Sequence, residues 1–270
     1  MEVVAVLPGG KRAEEVTLTG RVTPFAFAVP SDVRAVLLDP DYRVLRWTGD
    51  FKASRIVAEC RVLRSLGRFP AAMARLDSCL AADRGADGCR VELGICQEKA
   101  GQRDQAESTF RSVVAGYRLY PTFSPAVPAA LLHLGELCDL AGRRDQALGW
   151  YRQVLEVPEA AGEHERARAL IRASYAPPAP PGPEVLRRYE GTFVFAGTRE
   201  YVLRVNENGI LTISGPEIPE AGLEWTGGTR FELPTRAGVS LEFAAGKDGS
   251  VDRATIRLGS MELPFQRKNP

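Results

Sequence analysis

Histidine is almost missing from this chain, with only His133 and His164 among 270 residues. A zinc site of the His/His/Glu kind needs two converging imidazoles. His164-Glu165 continues as Arg-Ala-Arg, so HExxH is not completed. Lysine is scarce as well, at positions 11, 52, 99, 247 and 268; the other basic residues are Arg, scattered among 34 acidic ones for a net charge of +1. That balance gives no field to draw the chain to nucleic acid or an anionic membrane surface. No run of about 18 apolar residues occurs, so no membrane span is predicted. The opening MEVVAVLPGGKRAEE has no charged stretch followed by a long apolar core, which excludes a signal peptide.

Other chemical signatures are missing too. No Ser has Lys three places on, and there is no GxSxG, no P-loop and no GxGxxG. The five cysteines (60, 79, 89, 96 and 138) form no CxxC and no zinc spacing with His. They read as small buried residues of a helical region, with a disulfide among Cys79, Cys89 and Cys96 as the alternative for an exported chain. No catalytic residue, cofactor-binding residue or metal ligand is assigned. No cofactor is expected, and the chain is read as a non-enzyme. His133, on the apolar stretch LLHLGEL, reads as a packed, hydrogen-bonded core residue.

What is present is an internal repeat. GRFPAAMARL, GQRDQAESTF and GRRDQALGWY begin at Gly67, Gly101 and Gly142. The first shift is 34 residues. The second is 41, its extra length falling in the Pro-rich insert PTFSPAV at 121–127. Leu93-Gly94 and Leu134-Gly135 recur upstream of the last two copies; Glu59-Cys60 stands there in the first. Each part has a physical role in a helix hairpin. Gly67, Gly101 and Gly142 supply a left-handed turn. Asp104 and Asp145 follow it and are expected to cap the second helix. Ala72, Ala106 and Ala147 sit at the crossing, and Leu76, Phe110 and Tyr151 fill the space toward the neighbour. GEHERARALIRASYA, at 162–176, reads as a closing helix.

This pattern resembles the tetratricopeptide repeat (TPR). The resemblance implies a stack of three helix pairs whose inner face is lined by the first helix of each pair. On that basis the groove-lining residues are Arg61, Arg64, Val91, Ile95, Glu98, Leu132, Glu136 and Asp139. The groove then runs from a basic end through an apolar middle to an acidic end. Its expected occupant is an extended peptide or protein, or an upstream domain of the same polypeptide. The Lys/Asn clamp with which some relatives hold a terminal carboxylate is not present at these positions.

The flanks are expected to be all-β. EVVAVL, EEVTLTG, PFAFAVP, VRAVLLD and YRVLRW, within residues 1–47, alternate like strands. FAFAVPSDVRAVLLDPDYRVL, at 25–45, resembles the small β-sandwich that follows the catalytic domain of M1-family zinc aminopeptidases. That resemblance implies the accessory tail of a larger metallopeptidase, periplasmic or exported; a complete chain would instead be cytoplasmic. APPAPPGPE reads as an extended linker. Eight strands follow, with hairpin signals at Asn208-Gly209 and Lys247-Asp248-Gly249. Tyr189-Glu190-Gly191-Thr192-Phe193, the strand GILTI, and Phe231 resemble the lipocalin-like accessory domain of β-lactamase-like bacterial hydrolases. Tyr189, Phe193, Tyr201, Trp225, Phe231 and Phe243 are expected in its core.

The predicted architecture is therefore multidomain α and β. It comprises a β-sandwich fragment (1–50), a three-repeat TPR-like α-solenoid (53–176), a Pro-rich linker (177–184) and a small antiparallel β-barrel (185–270). The predicted function is that of a non-catalytic interaction scaffold. The alternatives are a stand-alone hydrolase with an unrecognised site and a carrier holding an apolar ligand inside the barrel.

Overall fold

The computed structural model describes residues 2–17, 23–26, 28, 32–33, 35–38, 49–119, 124–177, 179–195, 197–236, 238–245 and 251–268. Contacts divide the chain into two compact units, residues 1–48 and 49–270.

The first unit holds one antiparallel sheet in the order β2-β1-β3, from β1 (Glu2–Leu7), β2 (Gly10–Glu15) and β3 (Ala35–Leu38). The β1–β2 hairpin pairs Leu7 with Gly10 across the Pro8-Gly9 turn. Val3, Val4 and Ala5 are buried. This corrects the β-sandwich expectation: among the described residues there is a single three-stranded sheet with no second layer. Residues 24–26 and 28, from the expected strand PFAFAVP, are not in a strand. YRVLRW lies outside the described residues.

Among the described residues the second unit opens with seven helices: α1 (Gly49–Ser65), α2 (Phe69–Ala82), α3 (Asp87–Lys99), α4 (Arg103–Leu119), α5 (Ala126–Leu140), α6 (Arg144–Glu156) and α7 (Glu163–Arg172). The three turn glycines have φ of 77°, 80° and 71° at Gly67, Gly101 and Gly142. Each turn closes identically. Gly67, Gly101 and Gly142 N–H donate to Arg64, Glu98 and Asp139 C=O, and the next residues, Arg68, Gln102 and Arg143, donate to Leu63, Gln97 and Cys138 C=O. This paired bonding satisfies the orphan carbonyls of a helix end and requires a left-handed residue at its centre. The capping expectation is corrected for α6. Its N-cap is Arg143, with no side-chain cap bond, and Asp145 sits inside the first turn, where its charge suits the helix dipole.

Ala72, Ala106, Ala147, Leu76, Phe110 and Tyr151 are all fully buried. α1 touches α3, α3 touches α5 and α5 touches α7, forming an inner row; α2, α4 and α6 lie outside it, each against its own hairpin partner and the next helix. No helix among the described residues is long and apolar enough to cross a membrane.

A short helix α8 (Pro183–Leu186) and a 3-10 turn (Arg187–Tyr189) lead into nine strands among the described residues. These are β4 (Gly191–Phe195), β5 (Arg199–Val205), β6 (Leu211–Gly215), β7 (Ile218–Gly222), β8 (Glu224–Gly227), β9 (Arg230–Glu232), β10 (Val239–Ala245), β11 (Val251–Leu258) and β12 (Met261–Arg267). The sheet order is β7-β6-β5-β4-β12-β11-β10-β9-β8. Its two edges, β7 and β8, are separated in sequence by Leu223 alone. The chain steps directly from one edge to the other, so the sheet wraps into a nearly closed antiparallel barrel. The strand missing from the sequence reading is IPEAG, masked by Pro219; a proline is tolerated at a sheet edge.

The barrel interior is filled. Phe193 stacks on Phe265 at 5.1 Å, and Phe243 meets Phe193, Phe231 and Tyr189 at 6.0, 5.6 and 4.7 Å. Trp225 is only half-buried, its indole N–H donating to Gly228 C=O at 2.9 Å.

Candidate functional site

The eight groove residues named from the sequence lie on α1, α3 and α5, in the inner row. Their charges do not run from a basic to an acidic end as bare side chains. The carboxylates are buried and each carries a cation. Glu92, which the repeat pattern did not single out, is 2% exposed. It accepts from Arg64 Nε at 2.6 Å and Arg61 Nε at 3.4 Å. The Arg64 side chain is 10% exposed, whereas Arg61 is about half exposed. Burial alone would lower the Arg64 pKa, but the Glu92 charge and hydrogen bond raise it overall.

The second cluster joins two repeats. His133 Nδ1 lies 3.0 Å from Glu98 Oε2 on α3 and 3.4 Å from Glu136 Oε2, one turn along α5. The His133 ring stacks on Phe110 with centroids 5.0 Å apart and planes at 7°. Arg166 on α7 reaches Glu136 Oε1 at 2.6 Å. Burial opposes the charged imidazole, but Glu98 and Glu136 outweigh it and the His133 pKa is raised. For Glu98, burial raises the pKa; His133 beside it, with Lys99 and Arg166, brings it below the ordinary value. Glu98, His133 and Glu136 also present ligand atoms within 4.8 Å of one another, a donor set that could hold a divalent cation. A protonated His133 and Arg166 already balance the two carboxylates, so the structure does not require an ion there.

The third cluster is built on Asp139, whose side chain is 1% exposed. Arg144 Nη1 donates to both carboxylate oxygens at 3.0 and 2.9 Å, and Tyr151 Oη and Tyr175 N–H donate to Oδ2 at 2.9 and 2.8 Å. Arg144 Nη2 continues to Leu170 and Ile171 C=O at the end of α7. One carboxylate thus ties α5, α6, α7 and the segment just after α7 together.

The apolar groove residues are less accessible than the sequence suggested. Val91 and Leu132 are buried, and Ile95 is half-buried. What faces solvent along the inner row is guanidinium, at Arg61 and Arg166, each over half exposed above an anchoring carboxylate. A recess of about 160 Å³ beside His133 and Arg166 is lined by Ala129, Leu132, Ala161 and Glu163.

The barrel docks on the end of α1, a contact that no sequence signal indicated. Leu66 C=O accepts from Asn206 Nδ2 at 3.1 Å and Asn208 Nδ2 at 2.9 Å, and Gly222 N–H donates to Ser65 Oγ at 3.0 Å. A Cβ on Gly222 would run into the Ser65 main-chain oxygen. Lys99 pairs with Glu224. Burial raises the Glu224 pKa, but Lys99, Arg64 and Arg166 bring it below its ordinary value, so the barrel edge lies within the field of the groove cations.

Residues 63–119 and 130–165 match family models described as tetratricopeptide repeat. These are tetratricopeptide repeats. The matched TPR stretches cover less than half of the chain and include neither sheet. No curated protein sequence matches the chain. Among solved structures, one partial likeness is to the "TPR2AB-domain:pHSP90-complex of yeast Sti1". It shows 14% identity and a TM-score of 0.40, over 45% of this chain and 47% of that one. A second is to the Yersinia enterocolitica type III secretion translocator chaperone SycD in an alternative dimer. It shows 16% identity and a TM-score of 0.39, over 46% of this chain and 91% of that one. The chain spans about half the length of the first. Neither likeness carries an argument about what this chain binds.

Proposed function

We propose that the chain is a non-catalytic protein-interaction scaffold whose binding element is the inner face of its TPR repeats. The observation that supports this most directly is the pair Arg61 and Arg166. Each guanidinium is oriented by a carboxylate that is almost wholly buried, and each leaves donors facing solvent. A pre-oriented guanidinium loses little freedom when it meets a second carboxylate. The occupant this favours is an extended, acidic peptide segment of a partner protein. The docked barrel supports an accessory role in shaping one side of the groove. Its ring-filled interior favours that role over carriage of an apolar ligand.

The test is a peptide-array screen with the full chain, followed by titration of the hits against wild type and Arg61→Glu/Arg166→Glu. Acidic peptides should bind, and the double reversal should weaken them at least tenfold. Binding that ignores the reversal, or an array with no acidic hits, overturns the reading. A chelator-sensitive peptidase or esterase activity in purified chain would favour the hydrolase alternative.

The likeness of residues 25–45 to the M1 accessory sandwich adds a finer proposal, that the chain is the C-terminal part of a larger metallopeptidase. Reading the coding sequence upstream of Met1 for an in-frame HExxH tests it.

A further inference from the structure

We propose that Cys79 and Cys89 are a redox pair, converted by a small disulfide oxidant into a cystine that joins the end of α2 to the start of α3. Their Sγ atoms lie 2.9 Å apart. That is too near for sulfurs that ignore each other and within about 1 Å of the bonded separation of about 2.05 Å. Both residues are buried. Cys89 Sγ also faces Ala53 C=O of α1 at 3.8 Å, so its position is fixed from a third helix. Cys60 and Cys138 direct their sulfurs elsewhere, toward Ala72 C=O and Gln146 Oε1.

Access comes from the side of Cys79. It lines a recess of about 960 Å³ between α1 and α2, with Ala53, Ile56, Ala74 and Ser78. An oxidant RSSR entering there is attacked by the Cys79 thiolate, its proton having gone to solvent. A Cys79–SR bond forms and one RS⁻ leaves. The Cys89 thiolate then attacks the Cys79 sulfur, forming the cystine and expelling the second RS⁻. Two electrons pass to the oxidant, and two protons are taken up by its thiolates. Burial first, and the neighbouring Cys79 second, raise the Cys89 thiol pKa. That slows the attack by Cys89. The pair stays reduced where thiols are kept reduced. The bond would close the turn at Asp83–Ala86, the corner between the first and second repeats.

Trypsin places the five cysteines on separate peptides, and cleavage after Arg84 separates residues 76–84 from 85–90. Full-length chain is treated with oxidised glutathione, digested without reductant and analysed by mass spectrometry. We expect loss of two thiols and a single linked pair, 76–84 with 85–90. The thermal midpoint should rise by about 5 °C and fall back with dithiothreitol. Cys79→Ser and Cys89→Ser should each abolish both changes, and Cys96→Ser neither. Five free thiols after oxidation of the native chain and after refolding in a glutathione redox buffer would overturn the proposal. So would a cystine through Cys60, Cys96 or Cys138.

Discussion

A Cβ built on Gly94 would lie 2.5 Å from the Phe110 ring. At the matching place in the first repeat the chain has Cys60, which does carry a Cβ, and opposite it stands Leu76 instead of an aromatic ring. The third repeat returns to glycine and ring, Gly135 beneath Tyr151. The two positions vary together within one polypeptide because they share one volume: backbone and ring, or methylene and isobutyl group.

Gly94→Ala should therefore cost about 1–3 kcal/mol through overpacking. Phe110→Leu alone should cost a similar amount through a cavity. The double variant, which rebuilds the arrangement of the first repeat, should be less destabilised than the sum of the two. Urea unfolding of all four proteins measures the coupling, and strict additivity would mean that the pair does not share its space.

Asp139 accepts from two residues of α6, Arg144 and Tyr151, and from Tyr175 N–H after α7. Asp139→Ala leaves Arg144 without its carboxylate and Tyr151 Oη without its acceptor. Removing one partner of a buried pair costs about 3 kcal/mol or more. The loss should be felt first in α7, because Arg144 holds the carbonyls at its end. Hydrogen exchange should show Glu163–Arg172 losing protection before α3 and α4 do.

The repeats were legible because their constraints are local in sequence. A left-handed turn demands glycine, a crossing demands a small residue, and both recur at fixed offsets, so Gly67, Gly101 and Gly142 reveal the period. The barrel was legible from alternation, except where Pro219 broke the pattern of an edge strand. The groove was half legible. Position in the repeat found Arg64, Glu98, Glu136 and Asp139, but their partners come from other offsets or other elements: Glu92 for Arg64, His133 for Glu98, Arg166 for Glu136, Arg144 for Asp139. A charge's partner is set by the path of the backbone in three dimensions, which periodicity does not encode. The docking of Asn206 and Asn208 on Leu66 spans about 140 residues of sequence and leaves no trace in any local pattern.

That docking can be broken without touching either core. Asn206→Ala/Asn208→Ala removes both donors to Leu66 C=O, at a cost of about 1–3 kcal/mol for the unsatisfied carbonyl. Asn206 Oδ1 also accepts from Asn208 and Ile210 N–H, so Asn208→Ala alone serves as the milder variant. Both should speed cleavage of the Pro-rich stretch near residues 177–184 under limited proteolysis, the double variant more. Unchanged cleavage would mean that Gly222–Ser65 and Lys99–Glu224 hold the barrel by themselves.

The His133 cluster sets a pH window. The folded pKa of His133 is raised from 6.5, so its contribution is complete below about 6.5 and is lost as pH climbs through the folded value. Glu98 is lowered from 4.5, so its contribution is complete above about 4.5 and is lost as pH falls through the folded value. The groups facing the imidazole are Glu98 from α3, Glu136 from α5 and, across Glu136, Arg166 from α7. The cluster should therefore stabilise most between about pH 4.5 and 6.5. His133→Gln should lower the thermal midpoint most within that window and progressively less above it. The difference between wild type and variant, followed by scanning calorimetry from pH 4 to 9, checks this. A difference that grows toward pH 9 would mean that His133 is held neutral, and that Arg166 alone carries the charge of the two carboxylates.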